Sequence, residues 1–454
     1  MGIVVKLLLP LLIECTILYV VEVSREGARA PLQFMPWDNL QKWPQGPAKL
    51  SPSGMRQHYL IGAELRNRYV NNTKLLSPWF YTPEIKVYST DNDRTLTSAT
   101  SQLLGLYPPG TGPSLRNKFQ LNNSVPPIEV ENQQTIINKL GYSALPNNTQ
   151  VISIHTDLLS REALLLPAYD CDRYEYLVQV RNSSQDVNQL ILDNQNLFTT
   201  IQKSFSCSYQ YAVYIFPKLL DSLNCNIFHG YSVPSEFSGS YYTNATNFYA
   251  EYIYNVYYSP DALAKYAGSG FLINLMNEFK LAKTQSMETR FSFYSGQDRT
   301  ILNILASLQL PADFEPPFAS QLIFQLIQEN ENLFVTLDYN DQPVVIPTCG
   351  NYKCPFYNFI RYLAIRTLHN TTVACYLNQE QSTWGIITKP GDEEFDFTGK
   401  SDLGHIRWFG WFAIAYLAAV LLGIIGVFIV YRIKQKKPKK KNQPYAAIDI
   451  DGEI

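Results

Sequence analysis

Two arginines four residues apart, Arg25 and Arg29, flank Gly27 in the stretch Val23-Ser24-Arg25-Glu26-Gly27-Ala28-Arg29-Ala30-Pro31. Each guanidinium is a planar fork able to grip oxyanion oxygens in pairs. A strand that ends in a glycine turn between two such forks is one way to build an anion cradle. Taken alone, two arginines near a glycine are more often ordinary surface charge. Glu26, between them, puts a negative charge where an anion would sit. A second candidate group is Gln297-Asp298-Arg299-Thr300, which follows Gly296. There a carboxyl stands at the start of a helical pattern, beside a further arginine.

The elements that must position these residues are legible from periodicity. The apolar run Thr16-Ile17-Leu18-Tyr19-Val20-Val21 reads as a buried strand leading into Arg25. Ser51-Pro52-Ser53-Gly54 precedes a helical pattern from Met55 to Tyr69, with Leu60, Ile61, Leu65 and Tyr69 assigned to one face. Glu84 to Tyr88 alternates as a strand, and Thr95 to Leu106 is helical up to Tyr107-Pro108-Pro109-Gly110. Residues 111–148 read as a polar surface insertion and Val151 to His155 as a strand. Residues from about 160 to 245 lack strand–helix alternation and read as a mainly helical inserted cap. A helix is expected over Ala262–Lys280, a strand over Thr289–Ser295, a helix over Ile301–Leu308, and a hairpin from Leu333–Leu337 and Val344–Ile346. Strands that end in glycine turns and feed helices argue an α/β domain with its site at the strand ends.

The chain has 454 residues with 37 basic against 39 acidic, so nothing in its charge suggests a nucleic-acid partner. Residues 1–15 read as a signal peptide. Trp408 to Val430 is an uncharged span long enough to cross a bilayer, with aromatic residues at its ends. The tail from Arg432 carries seven basic and three acidic residues, +4, which leaves −6 of the net −2 for the remainder. This bias predicts a single-pass type I protein with a basic cytoplasmic tail (431–454), an acidic stalk (391–407) and a lumenal or extracellular ectodomain (16–390). Six Asn-x-Ser/Thr sequons, at Asn71, Asn122, Asn147, Asn182, Asn244 and Asn370, precede the span and none follows it. Cys15 falls within the signal peptide. The other six cysteines, Cys171, Cys207, Cys225, Cys349, Cys354 and Cys375, predict three disulfides, with 15 connectivities open. Their spacing does not fit zinc, and neither a metal nor a cofactor is expected. In the tail, Tyr445-Ala446-Ala447-Ile448 fits a Tyr-x-x-apolar sorting signal for a clathrin adaptor; the lysosomal or endosomal membrane and the plasma membrane are both open as destinations.

Four stretches in order resemble the histidine acid phosphatases of the lysosomal and prostatic type. They are Ser24–Pro31, Trp43-Pro44-Gln45-Gly46 with Gly54–Tyr59, Ser89–Leu96 with Ser98-Ala99, and Ser295–Asp298. The resemblance covers roughly residues 16–385. It implies a phosphoglycerate-mutase-like histidine phosphatase fold, a mixed sheet flanked by helices with the cap inserted, followed by the C-terminal transmembrane helix. It also implies phosphate monoester hydrolysis at acid pH and raises a homodimer as a partner expectation. In that mechanism a histidine attacks phosphorus, three arginines and a second histidine hold the phosphate oxygens, and an aspartate protonates the leaving alcohol. Matched position by position, Arg25 and Arg29 are the motif arginines and Asp298 the acid. Glu26 stands at the nucleophile, Tyr88 at the third arginine and Gln297 at the second histidine. None of the five histidines falls in a catalytic motif, and His58 reads as structural. By the same resemblance Cys171 pairs with Cys375 and Cys349 with Cys354, which leaves Cys207 with Cys225 as a staple on the cap.

A carboxylate between two guanidiniums pairs with them and opposes a phosphate dianion. The expectation is therefore a membrane-anchored family member, catalytically impaired, that uses the retained scaffold to bind a phosphate monoester or other anion. The alternative is a working phosphatase with a rewired site, in which Glu26 or a carboxylate-activated water attacks.

Overall fold

The structure, a computed structural model, describes residues 15–311 and 316–376. Residues 1–14 of the expected signal peptide, the stalk, the 408–430 span, the tail and the Tyr445/Ile448 signal lie outside the described residues. Among the described residues no helix is long and apolar enough to cross a membrane.

The sheet is built around β1 (Cys15–Arg25). On one side it pairs in parallel with β3 (Phe291–Gly296), which pairs in parallel with β2 (Ile85–Ser89). On the other side it runs antiparallel to β4 (Gln321–Glu329), followed by β5 (Asn332–Tyr339) and β6 (Gln342–Val344). The short β7 (Cys354–Pro355) pairs with β5. The order β2-β3-β1-β4-β5-β6 is thus a mixed sheet, parallel on the side that carries the candidate residues.

Alternation along β1 explains the two layers. Tyr19, Val21 and Val23 face one core with Phe271, Leu275 and Phe279 of α10 (Asp261–Lys283), Ile301 and Leu305 of α11 (Asp298–Ser307), and Phe359 and Leu363 of α12 (Phe356–Arg366). Val20 faces the opposite core, with Leu65 of α1 (Pro52–Leu65), Ala99, Leu103 and Leu106 of α2 (Asp93–Leu106), Phe291 and Phe293. Ser51 caps α1, its Oγ accepting from the Gly54 amide, with Pro52 at the first helical position.

The buried face of α1 is Gly54, His58, Gly62 and Leu65. Leu60 is 59% exposed, so its assignment to the core face is corrected. The reason is the close crossing of α1 and α2, which glycine makes possible. A Cβ at Gly62 would lie 1.9 Å from the Gln102 carbonyl oxygen, and one at Gly105 would lie 2.1 Å from that of Tyr59. Gly62→Ala is expected to destabilise the fold by about 2 kcal/mol through overpacking, read as a lowered thermal midpoint, whereas Leu60→Ala shifts it little.

The insertion after α2 carries α3 (Lys118–Asn123) and α4 (Gln133–Leu140) on the surface. The stretch 151–155 forms no strand; a single parallel bridge joins His155 to Tyr88. The cap is helical as expected and extends further than 245. It comprises α5 (Asp172–Asn182), α6 (Gln185–Asp193), α7 (Gln195–Phe205), α8 (Tyr209–Phe228) and α9 (Ser240–Tyr257). Phe198, Phe216, Phe237 and Phe248 form its core together with Met35. The last described helix is α13 (Thr371–Cys375).

Cys171 is bonded to Cys375, and Cys349 to Cys354. The expected Cys207–Cys225 bridge is corrected: both thiols are free. Cys207 precedes the first turn of α8 and Cys225 lies in its last turn. A helix rises 1.5 Å per residue, so the two are about 25 Å apart, far beyond the reach of a disulfide. The six sequon asparagines are all exposed.

Candidate functional site

Arg25 ends β1 and lies opposite Gly296, the end of β3. The backbone continues this registration for one more residue, the Glu26 amide donating to the Gly296 carbonyl at 3.0 Å. The turn that follows is held from three sides. Gly27 N donates to Ser98 Oγ, Ala28 N to Gln57 Oε1, and Ser51 N and Oγ both donate to the Ala28 carbonyl. Gly27 is required here because a Cβ would come 2.6 Å from the Gly54 carbonyl oxygen. The sequence thus places residues 25–29 where β1, β3 and the starts of α1, α2 and α11 converge, outside the carboxyl ends of parallel strands.

Glu26 is at the centre and is 1% exposed. Its Oε1 accepts from Arg29 Nε at 3.1 Å and from Arg94 Nε at 3.2 Å. Its Oε2 is buried with no hydrogen-bond partner among the described residues. Arg29 is further held by Asp221 of α8, with Nη2 to Oδ1 at 2.8 Å and Nη1 to Oδ2 at 3.2 Å, and its Nη1 lies 3.5 Å from Cys225 Sγ. Burial pushes the Cys225 thiol well up, so it is protonated and unreactive.

Arg25 Nη1 donates to the Pro316 carbonyl, and its Nη2 is 4.0 Å from Asp298 Oδ2. The guanidinium lies over the Phe318 ring at 4.5 Å. Arg25 Nε and Gln297 Nε2 are both buried and without a partner among the described residues. Gln297 caps α11 through its backbone, the amide donating to Thr300 Oγ1 at 3.0 Å.

The Asp298 side chain is 40% exposed. Burial alone would raise its pKa, but the charges of Arg25, Arg299 and Arg29 outweigh this and hold the carboxyl below its usual range. A lowered pKa makes this carboxyl a weaker proton donor to a leaving alcohol. The guanidinium of Arg299 lies over the Tyr257 ring at 3.8 Å. The Tyr88 hydroxyl donates to Asp157, which with burial pushes its pKa up to about 12.

The structure brings Arg25, Glu26, Arg29, Gln297 and Asp298 to one strand-end cluster. Tyr88 sits at the end of β2 but is engaged by Asp157. Sequence reasoning missed Arg94, Asp221 and Phe318. Arg94 was within reach, since it stands in the Ser89–Leu96 stretch used for the resemblance and starts α2 one turn from the site. Asp221 had no local signal: it arrives from the cap, 192 residues beyond Arg29. The carboxylates of Glu26, Asp221 and Asp298 pair with or face the guanidiniums of Arg25, Arg29 and Arg94, and Arg299 adds a fourth positive charge beside Asp298.

A mixed sheet with helices on both faces, a helical cap, and a charged cluster outside the parallel strand ends describe a capped α/β domain with its site at the strand ends. The chain belongs to the histidine phosphatase superfamily (branch 2), whose family model matches residues 16–340. It is 26% identical over 380 residues to prostatic acid phosphatase of Bos taurus, covering 81% of this chain and 90% of that protein. It is 27% identical over 356 residues to lysosomal acid phosphatase of Rattus norvegicus, covering 76% of each. Among solved structures, Hafnia alvei phytase in complex with tartrate aligns with a TM-score of 0.57 at 16% identity, over 80% of this chain and 99% of that one. Klebsiella sp ASR1 phytase aligns with a TM-score of 0.56 at 15% identity, over 81% and 100%. These two share the fold. The activity of the acid phosphatase relatives is phosphate monoester hydrolysis.

Proposed function

We propose that this chain is a membrane-anchored, glycosylated member of the superfamily whose hydrolytic chemistry is impaired and whose strand-end cluster serves to bind. The observation that carries this reading is the buried Glu26 carboxylate, which takes the Nε donors of both Arg29 and Arg94. An incoming phosphate dianion meets a fixed negative charge where a nucleophile should attack. The two guanidiniums facing it are already paired, Arg29 doubly so. The guanidiniums of Arg25, Arg299 and Arg29 hold the Asp298 carboxyl below its usual range, which weakens it as a proton donor. The 408–430 span, the basic run after it and the exposed sequons support a type I topology with the folded part lumenal or extracellular. The Tyr445/Ile448 signal and the lysosomal relatives support an endosomal or lysosomal destination by way of a clathrin adaptor. A homodimer remains part of this proposal.

The test is hydrolysis of 4-nitrophenyl phosphate at acid pH by the full-length chain in neutral detergent, beside a prostatic acid phosphatase. Loss of a nucleophile and of aimed donors predicts a rate at least ~10³-fold below that enzyme. Turnover above background that disappears in Glu26→Ala overturns the proposal and establishes the rewired enzyme instead.

A further inference from the structure

Ser51 Oγ, at the N-terminus of α1, has three polar neighbours. It accepts from the Gly54 amide at 3.2 Å, and it lies 2.9 Å from the Ala28 carbonyl oxygen and 2.8 Å from His229 Nε2. His229 ends α8, and its Nδ1 lies 2.8 Å from the Cys225 carbonyl oxygen, one turn back. The ring thus bridges the cap to the turn that holds residues 25–29. Each of these contacts needs one hydrogen between its two atoms. A carbonyl oxygen only accepts, so Nδ1 carries a hydrogen. In a neutral ring Nε2 is then bare and takes the Ser51 hydroxyl hydrogen, which leaves the Ala28 carbonyl with the Ser51 amide alone. The other neutral tautomer sets two lone pairs against each other at Cys225. Turning the ring over puts carbons at both oxygens and loses both bonds. Only the imidazolium satisfies all four contacts: Nδ1–H donates to Cys225, Nε2–H to Ser51 Oγ, the hydroxyl to the Ala28 carbonyl, and the Gly54 amide to Oγ.

We propose that His229 and Ser51 form a proton-operated relay from the cap to the turn that carries Arg25, Glu26 and Arg29. A neutral His229 draws the Ser51 hydroxyl hydrogen toward the cap; a protonated one hands it to the Ala28 carbonyl. One proton is taken from solvent at Nε2, while the Ser51 hydroxyl keeps its own hydrogen and rotates. The turn is therefore bound to α1 by two Ser51 donors in acid and by one at neutral pH. His229 is half-buried, so solvent reaches the ring. It stands at the C-terminal end of a 20-residue helix, whose last carbonyls favour a cation. Burial opposes the charge and outweighs the Cys225 carbonyl, so protonation falls below the ordinary 6.5. The charged and titratable groups packed around the ring are Cys225 and Asp221 on α8, Arg29 in the turn, and Lys42 and Tyr231 in the flanking loops. The Cys225 thiol is protonated, Asp221 is held by Arg29, and Lys42 lies over the Tyr231 ring, which stacks on His229. Trp43 and Phe228 meet the ring edge to face, and α1 meets it through Ser51.

The experiment is nuclear magnetic resonance on the full-length chain in neutral detergent, with carbon-13 at the alanine carbonyls and nitrogen-15 at the arginine amides. The pair Ala-Arg occurs once in the sequence, at Ala28-Arg29, so a single signal reports the Ala28 carbonyl. Carbon-13 in the histidine rings reports protonation, and the His229 signal is the one missing from His229→Gln. As pH falls from about 8 to about 4.5, the Ala28 carbonyl signal is expected to move downfield with the midpoint of His229. In Ser51→Ala that movement should vanish while His229 still titrates, at lower pH, because the charged ring loses a stronger bond than the neutral one. In His229→Gln, which cannot change charge, the movement at the parent's His229 midpoint should be lost. Glu22 titrates in the same range, and Glu22→Gln should keep the movement. The proposal is overturned if the Ala28 signal stays still while His229 titrates, if its movement survives in Ser51→Ala or His229→Gln, if it disappears in Glu22→Gln, or if His229 stays neutral throughout. A thermal midpoint within a few degrees of the parent shows that each variant is folded. If Ser51→Ala, which also loses a helix cap, is not, Ser51→Thr keeps the hydroxyl and should keep the movement, and it decides together with His229→Gln. No ester turnover enters this test, so it and the impaired-enzyme reading fail separately.

Discussion

The variant carrying Glu26→His, Tyr88→Arg and Gln297→His is expected to hydrolyse 4-nitrophenyl phosphate at acid pH at least ~10² times faster than the parent chain. The first substitution matters most. It replaces an acceptor by an imidazole able to attack phosphorus, and it releases the Nε donors of Arg29 and Arg94 that Glu26 Oε1 now holds. Gln297→His converts a partnerless amide at the start of α11 into a group able to carry positive charge beside the entering phosphate. Tyr88→Arg contributes least, because Asp157 already engages this position and would compete for the new guanidinium. Recovery stops short of a relative's rate, since Asp221 still pairs with Arg29 and Asp298 still holds its proton weakly. Each single-substitution variant should gain far less than the triple, and the triple more than the product of the three single gains, because these groups act as a unit. A triple variant that melts like the parent yet stays at background would mean that residues 26, 88 and 297 do not occupy the reaction centre.

Acidification is expected to stabilise the fold through Glu22, by about 3 kcal/mol between pH 7 and pH 4.5. Glu22 is fully buried on β1, on the side facing α2. Burial pushes its pKa from 4.5 up to about 7, against the smaller effects of hydrogen bonds from Gln321 and Gln102. A proton count along the same network agrees. The neutral His58 ring donates through Nε2 to the Arg25 carbonyl, so its Nδ1 is an acceptor, 2.9 Å from Gln102 Oε1. That contact is satisfied when the Gln102 amide is turned round, and the turned amide presents its oxygen to Glu22, which then carries the proton. A carboxyl whose pKa is higher in the folded state than in the unfolded chain stabilises fully below the unfolded value. The contribution is lost as pH rises through the folded value, so the window runs from about 4.5 to about 7. His58 and His229, lowered by burial, act in the opposite sense as pH falls through their ordinary 6.5. The readout is therefore the difference between the parent and Glu22→Gln in thermal midpoint across this range. The parent should lose stability relative to the variant as pH rises. Parallel curves would show that Glu22 is ionised in the fold throughout.

Much of this molecule was readable because its chemistry is local. Arg25, Glu26, Arg29, Gln297 and Asp298 sit at strand–helix junctions whose apolar runs and turn residues mark them, and β1, β3, α2 and α10 follow from periodicity alone. What was not readable depended on distant partners. Leu60 was placed on the core face by apolarity, whereas the crossing of α1 and α2 is set by Gly62 and Gly105. The Cys207–Cys225 bridge failed because α8 runs unbroken between the two residues, despite Pro217 within it. Asp221, which neutralises Arg29, comes from a cap whose docking no local pattern announces. The identity of the substituted residues in the motif was plain in the sequence. That Glu26 engages Arg29 and Arg94 rather than Arg25 needed the fold.

The bond between Cys171 and Cys375 also determines how the molecule bears a pull. The chain continues from Tyr376 toward the C-terminus, so tension applied through that segment arrives first at Cys375. There it crosses covalently to Cys171, at the head of α5 and buried against Tyr174, Leu263, Ala264 and Ala267. The load enters the side of the helical layer as shear, which must break many contacts together. Without the bond the same pull would peel α13 from α5 and α10, and then α12 from the sheet, one turn at a time. The bond thus makes resistance to detachment a property of the whole body rather than of its last helix, and a reducing environment would turn that resistance into unzipping.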